Sequence, residues 1–175
     1  MKRISAGVRR KAKNIKLLLL DVDGVLTDGR IVVDDRGVET KQFHVRDGQG
    51  ITLLRRAGVQ VGFITARCSR AVSRRAKELG VRIVRQGVQD KLNAYNSIKR
   101  DLALSDDKIA YMGDDLVDLP VLRRAGFAIA VGDAWSGLKP AVDYVTALPG
   151  GCGAVREVAE LLLQVQGQWS QLTAI

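Results

Sequence analysis

Two aspartates stand one residue apart at the end of an apolar run. Asp21 and Asp23 follow Leu17-Leu18-Leu19-Leu20 and precede Gly24. Because alternate residues of an extended chain point the same way, both carboxylates can enter one small site. Two like charges so close repel each other, which favours a bound cation, and oxygen-only ligands favour a hard metal such as Mg²⁺. The alternative is an ordinary strand-to-turn junction, since Asp and Gly both favour turns.

Three further segments place polar residues near the ends of apolar runs. They contain Thr65 and Arg67 after Val61-Gly62-Phe63-Ile64, Lys91 near a predicted helix start, and the acids Asp114, Asp115 and Asp118 after Ile109-Ala110-Tyr111-Met112-Gly113. Each has a plainer interpretation, because Thr and Asp commonly cap helices and a lone Lys is usually solvated. Helix capping accounts for one acidic residue in the last segment, but it does not account well for the presence of three.

These residues need a scaffold that gathers strand ends in one place. Apolar runs predict strands near residues 16–20, 59–64, 81–84, 108–112, 127–131 and 143–145. Helices are predicted near residues 48–57, 69–79, 90–102, 115–124 and 153–166. This alternation predicts an α/β fold, a three-layer Rossmann-like parallel sheet, in which ligands bind at the carboxyl ends of the strands.

The segment from Gly29 to Phe43 breaks the alternation. Two β-prone runs flank the turn Asp34-Asp35-Arg36-Gly37, which predicts a β-hairpin projecting from the loop after Asp23. We call residues 29–43 the flap. The intervals from Asp23 to Thr65 and from Thr65 to Lys91 are nearly filled by the flap and by predicted helices and strands. We therefore expect no cap domain.

The formal net charge of +9 is concentrated at one end of the 175-residue chain. Residues 1–16 are rich in Lys and Arg and hold no acidic residue, whereas the rest is nearly balanced. We therefore predict a basic, flexible N-terminal tail over residues 1–14 and one domain over residues 15–175. A polyanion contact and an organellar targeting segment are open alternatives for the tail. Nucleic acid is not an expected partner, because that hypothesis rests on the tail alone.

The composition is that of an ordinary globular chain, with 46% apolar residues. No apolar run has membrane-spanning length, so no membrane partner is expected, and no signal-peptide pattern is present. The two cysteines, Cys68 and Cys152, give no disulfide framework. A reducing, cytoplasmic location is therefore predicted.

The order of these motifs resembles the haloacid dehalogenase-like hydrolase superfamily. The pair DxD is followed by Thr, Lys and GDDxxD, each beside a predicted strand end, over roughly residues 15 to 147. The resemblance implies that Asp21 is the nucleophile, that Asp23 is the general acid and base, and that Thr65 and Lys91 hold the transferring phosphoryl group. It also implies that Asp21, Asp23 through its carbonyl, and Asp114 hold Mg²⁺. Ion-pumping ATPases carry Thr at the second acid position, so Asp23 favours a phosphatase.

Three segments resemble one branch of that superfamily, the 3-deoxy-D-manno-octulosonate 8-phosphate phosphatases. They are VRDGxG at 45–50, GDDxxDxPV at 113–121 and GGxGAVREV at 150–158. The resemblance implies a cytoplasmic homotetramer in lipopolysaccharide synthesis, with the flap of a neighbouring subunit over each site. Phosphoryl transfer benefits from such exclusion of water. Substrate contacts are implied for Asp23, His44, Val45, Arg46, Asp47, Gly48, Arg67, Arg75 and Lys91.

The implied substrate is a small acidic sugar phosphate, which needs cationic contacts. Arg67 and Arg75 are about two helical turns apart and are expected on one helix face, where guanidinium groups suit a carboxylate. The chain departs from the family pattern at His44, Thr52 and Cys152, and these departures bear on which sugar acid is bound. A polar loop role is expected for His44, the only histidine.

Two alternatives to this function stay open on the sequence. One is a phosphatase of a related nine-carbon ketoaldonate phosphate, and the other is a non-catalytic tetramerisation domain. The C-terminal region adds a hypothesis: Gly150, Gly151 and Gly153 bring the backbone close to a filled site, and the segment from Gln166 acts as a loose cover.

Overall fold

The computed structural model describes residues 4–173 and contains seven α-helices and eight β-strands among them. In chain order these are α1 (Ala6–Ala12), β1 (Leu17–Leu20), β2 (Val32–Val33), β3 (Glu39–Thr40), α2 (Val45–Arg56), β4 (Gln60–Ile64), α3 (Arg70–Glu78), β5 (Ile83–Arg85), α4 (Lys91–Asp101), β6 (Ile109–Gly113), α5 (Leu119–Leu122), β7 (Phe127–Ala130), β8 (Tyr144–Val145), α6 (Ala154–Val165) and α7 (Trp169–Thr173). Short 3₁₀ turns cover Asp106–Lys108, Leu116–Asp118 and Ser136–Ala141.

Six of the strands form one parallel sheet in the order β5-β4-β1-β6-β7-β8. Helices flank it: α2 and α1 pack on α6, and α4 packs on α5. The predicted three-layer α/β fold without a cap domain is confirmed. Among the described residues, no helix is both long and apolar enough to span a membrane.

Strand β1 occupies the middle of the sheet because it is apolar on both faces. All four of its leucines are fully buried, as expected for a parallel strand covered by helices on both sides. Leu20 lies beside Phe63 of β4 and Met112 of β6. The residues that follow these three strands therefore emerge next to one another.

The flap forms the predicted hairpin, with β2 antiparallel to β3. Its turn is held by the Asp34 carboxylate, which accepts hydrogen bonds from the backbone N–H groups of Arg36 and Val38. The apolar side chains of Ile31 and Val33 are more than half exposed, as is that of Val38. The hairpin thus presents an uncovered apolar surface.

The predicted flexible tail over residues 1–14 is wrong for residues 6–12, which form helix α1. Ser5 caps this helix by accepting a hydrogen bond from the Val8 N–H. Val8 and Ala12 are buried against the core, and Lys11 forms a 2.6 Å ion pair with Asp143. The helix docks because its apolar residues fall on one face, while the basic residues occupy the other. Residues 1–3 lie outside the described part of the chain.

The predicted loose cover from Gln166 is also wrong for residues 166–173. The side-chain amide of Gln166 donates to the carbonyls of Ala12 and Ile15. Helix α7 follows, and Trp169 packs against the core with its ring 5.4 Å from the Arg156 guanidinium. These contacts hold the C-terminal segment on α6 and α1. Residues 174 and 175 lie outside the described residues.

Candidate active site

The predicted chemical residues follow three adjacent parallel strands. Asp21 comes directly after β1, Thr65 after β4 and Asp114 after β6. Since the register pairs the ends of these strands, the three side chains lie at one edge of the sheet. Lys91 joins them from the first position of α4, a helix capped by Asp90. All four of these side chains are predicted site residues.

The centre of the site is a cluster of carboxylates around one buried lysine. Lys91 Nζ lies 2.9 Å from Asp21 Oδ1 and 2.7 Å from Asp118 Oδ1. One carboxylate oxygen from each of Asp21, Asp114 and Asp118 lies within 4.8 Å of the others. Three carboxylates therefore share a small volume with a single cation.

Burial and mutual repulsion raise the pKa values of two of these acids. The pKa of Asp21 rises to about 6, mainly through burial and then through repulsion from Asp118, although Lys91 opposes the rise. The pKa of Asp114 rises to about 8, through burial first and then through the Asp21 and Asp118 charges. For Lys91, burial lowers the pKa, but Asp21 and Asp118 together raise it above its usual value. The site thus holds more negative charge than the protein alone neutralises.

Gly24 allows Asp114 to reach this cluster. Its φ is +90°, and a Cβ atom at this position would lie 2.0 Å from Asp114 Oδ2. Any other residue would therefore collide with the Asp114 carboxylate and would be strained at this φ. The glycine of the Asp21-Val22-Asp23-Gly24 motif has a packing role in the site.

Asp118 is a site residue that the sequence analysis names in the acidic segment but does not include among the catalytic, substrate-binding or metal-binding residues. It is fully buried, and the Tyr111 hydroxyl donates to its Oδ1 at 2.6 Å. The backbone N–H groups of Asp114 and Asp115 donate to its Oδ2 at 3.0 and 3.3 Å. It fixes both Lys91 and the backbone at Asp114. The capping interpretation applies to Asp115, which accepts a hydrogen bond from the Leu116 N–H. The four-residue spacing from Asp114 was the available signal.

Asp23 lies beside a lysine from the flap. Its Oδ1 is ion-paired with Lys41 Nζ, whose side chain is almost completely buried. Its Oδ2 is buried and has no hydrogen-bond partner among the described residues. One oxygen is therefore held by Lys41, whereas the other accepts no hydrogen bond from the described residues.

Arg67 also meets the flap. Its Nε and Nη2 atoms donate to Glu39 Oε2 at 3.2 and 2.6 Å. The prediction that Arg67 and Arg75 share a helix face is wrong, because α3 begins at Arg70 and Arg67 precedes it. The backbone N–H of Arg67 instead donates to Thr65 Oγ1, at 3.3 Å. Thr65 and Arg67 thus lie in one loop after β4.

The predicted substrate segment from His44 to Gly48 forms the start of α2. His44 caps the helix through Nδ1, which accepts from the Arg46 N–H, and Val45 is exposed. Arg75 lies against this segment, because a Cβ atom at Gly48 would lie 2.2 Å from Arg75 Nη2. The Arg75 guanidinium is also 6.0 Å from the Phe43 ring and pairs with Glu78. The segment therefore lines the same side of the molecule as Arg75.

Asp47 joins two helices from this segment. Its carboxylate accepts hydrogen bonds from the backbone N–H groups of Gly153 and Arg156, at 3.1 and 2.8 Å. It thereby satisfies the N-terminus of α6. Substrate contact by Asp47 stays a prediction, alongside this structural role.

The glycine segment before α6 packs on the loop after the nucleophile position. The Gly151 N–H donates to the Val25 carbonyl at 2.9 Å. With φ at +63°, Gly151 would place a Cβ atom 2.4 Å from the carbonyl carbon of Thr27. The close approach is therefore to this chain's own loop, and contact with a bound ligand stays a prediction.

The residues present fit a hard divalent cation. The cluster supplies carboxylate oxygens only, which suits Mg²⁺ rather than softer metals. Its excess negative charge and the raised pKa values of Asp21 and Asp114 describe a site that a cation would stabilise. Both oxygens of Asp118 are engaged, Oδ1 by Lys91 and Tyr111 and Oδ2 by two backbone N–H groups, so Asp21 and Asp114 are the carboxylates best placed to hold it.

Comparison with known proteins shows that nearly the whole chain is similar to a group of phosphatases. Residues 81–149 match the family model described as haloacid dehalogenase-like hydrolase. The 3-deoxy-D-manno-octulosonate 8-phosphate phosphatase KdsC of Escherichia coli K12 is 47% identical over 165 residues, which are 94% of this chain and 88% of that protein.

Solved structures agree with the sequence comparison. The crystal structure of 3-deoxy-D-manno-octulosonate 8-phosphate phosphatase from Moraxella catarrhalis, in complex with magnesium, phosphate and KDO, has a TM-score of 0.94 and 44% identity. The match covers 95% of this chain and 96% of that one. The Yersinia pestis enzyme of the same name has a TM-score of 0.92 and 44% identity, covering 93% and 88% of the two chains.

Proposed function

Because the chain belongs to the haloacid dehalogenase-like hydrolases, among the 3-deoxy-D-manno-octulosonate 8-phosphate phosphatases, we propose that it hydrolyses 3-deoxy-D-manno-octulosonate 8-phosphate. The products are the free sugar acid and inorganic phosphate, within lipopolysaccharide precursor synthesis. The observation that carries this proposal is the buried Asp21, paired at 2.9 Å with Lys91 and set among Asp114 and Asp118. The cytoplasmic location stays a prediction.

The nucleophile in this mechanism is Asp21. A carboxylate oxygen of Asp21 attacks phosphorus, the bond to the sugar oxygen breaks, and an aspartyl-phosphate forms. Lys91 and Thr65 hold the phosphoryl oxygens, and Lys91 offsets the charge that opposes approach of two anions. Mg²⁺, held by Asp21, Asp114 and the Asp23 carbonyl, supplies further neutralisation of that charge.

Asp23 moves the protons. It gives a proton to the departing sugar oxygen in the first step. In the second step it takes a proton from water, which attacks phosphorus, and the bond to Asp21 breaks to release phosphate. The unpartnered, buried Oδ2 of Asp23 supports this role, since it is free to carry that proton.

Substrate recognition requires groups for a carboxylate and several hydroxyls. We assign the carboxylate to Arg67, whose side chain is 44% exposed and whose guanidinium has more donors than Glu39 occupies. Arg75 and the segment from His44 to Gly48 are proposed to contact the sugar. Of the three departures, His44 lies in this segment, Thr52 donates a hydrogen bond to the Gly48 carbonyl, and Cys152 precedes Gly153, whose N–H binds Asp47.

A panel of phosphate esters tests the proposed function. We expect Mg²⁺-dependent phosphate release to be fastest with the eight-carbon octulosonate ester. A nine-carbon ketoaldonate ester tests the effect of the length of the sugar. Glucose 6-phosphate, which has no carboxylate, tests the effect of that group. Preference for the nine-carbon ester would change the substrate assignment, and no release from any ester would contradict the phosphatase.

Replacing Asp23 by Asn tests the proton transfers. Asn keeps the shape of the side chain but cannot give or take the proton, so kcat is expected to fall by about 10²–10⁴-fold. The matched control is Asp101→Asn, which removes the same charge from an exposed position at the C-terminal end of α4 and should leave kcat unchanged. Steady-state phosphate release checks both variants. Equal kcat for Asp23→Asn and wild type would contradict the assignment.

The flap carries a prediction about assembly. Ile31, Val33 and Val38 are more than half exposed, and an isolated two-stranded hairpin is marginally stable in water. We propose a homotetramer in which flaps from neighbouring subunits bury these residues. Light scattering should give a tetramer for the wild type, and Val33→Asp should shift it towards smaller species. An active wild-type monomer at micromolar concentration would contradict this proposal.

A further inference from the structure

Four charged side chains of alternating sign connect two separate parts of the site through the flap. In order of contact, the four ion-paired residues are Asp23, Lys41, Glu39 and Arg67. Lys41 Nζ is 3.1 Å from Glu39 Oε1, and Arg67 Nη2 is 2.6 Å from Glu39 Oε2. Asp23 is the proposed proton donor and Arg67 the proposed carboxylate ligand. The mechanism above gives no role to the two flap residues between them.

Glu39 lies on strand β3 and Lys41 follows the end of that strand, and this placement explains why both side chains reach the site. Glu39 and Lys41 are two residues apart, so an extended backbone points both side chains the same way. Their side chains are 16% and 1% exposed, in contrast with the flap's outward apolar residues. The flap therefore turns a charged face inward.

Glu39 leaves part of the Arg67 guanidinium available. It engages Nε and Nη2, which form one edge of the fork, and a guanidinium carries five N–H donors. The remaining donors can bind a second carboxylate. Glu39 remains ionised at neutral pH, because the Arg67 and Lys41 contacts lower its pKa to about 2. It is a fixed anchor for Arg67.

Lys41 holds Asp23 in a corresponding way. It pairs with one carboxylate oxygen of Asp23 and leaves Oδ2 without a partner among the described residues. Because Lys41 is almost fully buried and is also tied to Glu39, its ammonium group has little freedom. Asp23 is thereby restricted to one orientation.

From this geometry we infer that Glu39 and Lys41 are positioning residues of the flap, Glu39 for Arg67 in substrate binding and Lys41 for Asp23 in proton transfer. This inference rests on the proposed function for the role of Arg67. It assigns the flap a part in substrate selection and turnover.

Glu39→Gln is the sharpest test, because Gln is close in shape and lacks the charge. KM for the octulosonate ester is expected to rise about tenfold, the scale of one weakened charged hydrogen bond, with kcat little changed. For glucose 6-phosphate, which has no carboxylate, kcat/KM should stay within about twofold of wild type. In an Arg67→Ala background, Glu39→Gln should add nothing further. Asp101→Asn, at an exposed carboxylate outside the flap and at the far end of α4 from Lys91, is the control.

Lys41→Gln tests the inference that Lys41 positions Asp23 for proton transfer. It is expected to lower kcat for both esters by about tenfold or more, because both leaving groups are alkoxides that need the proton. Its effect on KM should be small, and Lys108→Gln, which removes a partly exposed lysine outside the flap, is the matched control. A melting curve for each variant identifies loss of fold, and the conservative Lys41→Arg should restore part of kcat.

The outcomes separate this inference from the proposed function. A lower KM in Glu39→Gln would show that Glu39 competes with the substrate for Arg67 and would overturn the inference. Equal changes for both esters, or unchanged kinetics in a folded Lys41→Gln, would also overturn it. If the wild-type protein does not hydrolyse the octulosonate ester, the proposed function is wrong. In that case the effect of Lys41→Gln on kcat is measured with glucose 6-phosphate. The effect of Glu39→Gln on KM is measured with whichever acidic ester the protein hydrolyses.

Discussion

Asp21→Asn is expected to abolish phosphate release without lowering the melting temperature. Asn has no anionic oxygen to attack phosphorus, so the aspartyl-phosphate cannot form, and kcat should fall by about 10⁴–10⁶-fold. The fold should survive, because Lys91 keeps its 2.7 Å ion pair with Asp118. Activity and stability should therefore respond differently to this substitution.

The direction of the stability change follows from the pKa of Asp21. Burial and repulsion from Asp118 raise that pKa to about 6 in the folded protein, from 3.8. The folded state thus disfavours the charged form, and at pH 7.5 the charge of Asp21 reduces stability. Removing the charge should leave Tm unchanged or raise it in the absence of divalent metal.

Two measurements check this prediction: phosphate release with Mg²⁺, and thermal unfolding in EDTA. The exposed Asp101→Asn serves as the matched control for both. Turnover near the wild-type rate in a folded Asp21→Asn protein would exclude Asp21 as the nucleophile. A large loss of Tm would show instead that its negative charge stabilises the fold.

The sheet and the strand-end residues were predictable because their signals are local. Four consecutive leucines followed by an acid indicate a buried parallel strand and the site at its end. The other predicted strands likewise lie within a few residues of those in the structure. The fold class follows from such runs without any knowledge of long-range contacts.

The contacts between the flap and the site were not predictable in this way. Lys41 pairs with Asp23 and Glu39 pairs with Arg67 across long stretches of sequence, and no local pattern links such residues. The two-residue spacing of Glu39 and Lys41 on a predicted strand was the only signal, and it indicates a shared face without indicating what that face meets.

Helix α1 shows a different limit. Its basic composition predicts a solvated tail, yet Val8 and Ala12 recur at helical spacing after the capping residue Ser5. Two small apolar residues give a weak pattern beside several cations. Docking on α6 decides the structure, so tertiary packing overrides the composition here.

Lys91→Met is expected to destroy both activity and much of the stability, in contrast to Asp21→Asn. Lys91 is the cation that lies between Asp21 and Asp118, and all three side chains are buried. Removing one partner of a buried ion pair leaves uncompensated charge, which typically costs about 3–5 kcal/mol of unfolding free energy. Phosphate release should also be lost, because Lys91 holds the phosphoryl group in the proposed mechanism.

The loss of stability should depend on pH. Lys91 is one of the groups that lower the pKa of Asp21, so without it that pKa rises further above the unfolded value of 3.8. An acid with a raised pKa in the folded state binds its proton more tightly there, and stability falls as the pH rises through that pKa. The stability difference between Lys91→Met and wild type should therefore be larger at pH 7.5 than at pH 5.

Urea unfolding at the two pH values, in EDTA, measures this difference. The matched control is Lys108→Met, which removes a partly exposed lysine 3.1 Å from Asp107 and should cost under about 1 kcal/mol at either pH. If the loss of unfolding free energy in Lys91→Met is independent of pH, the buried carboxylates do not cause it. The cause is then the lost packing of the Lys91 side chain. If Lys91→Met is as stable as wild type, the carboxylates at the end of β1 and β6 do not need this lysine to remain buried.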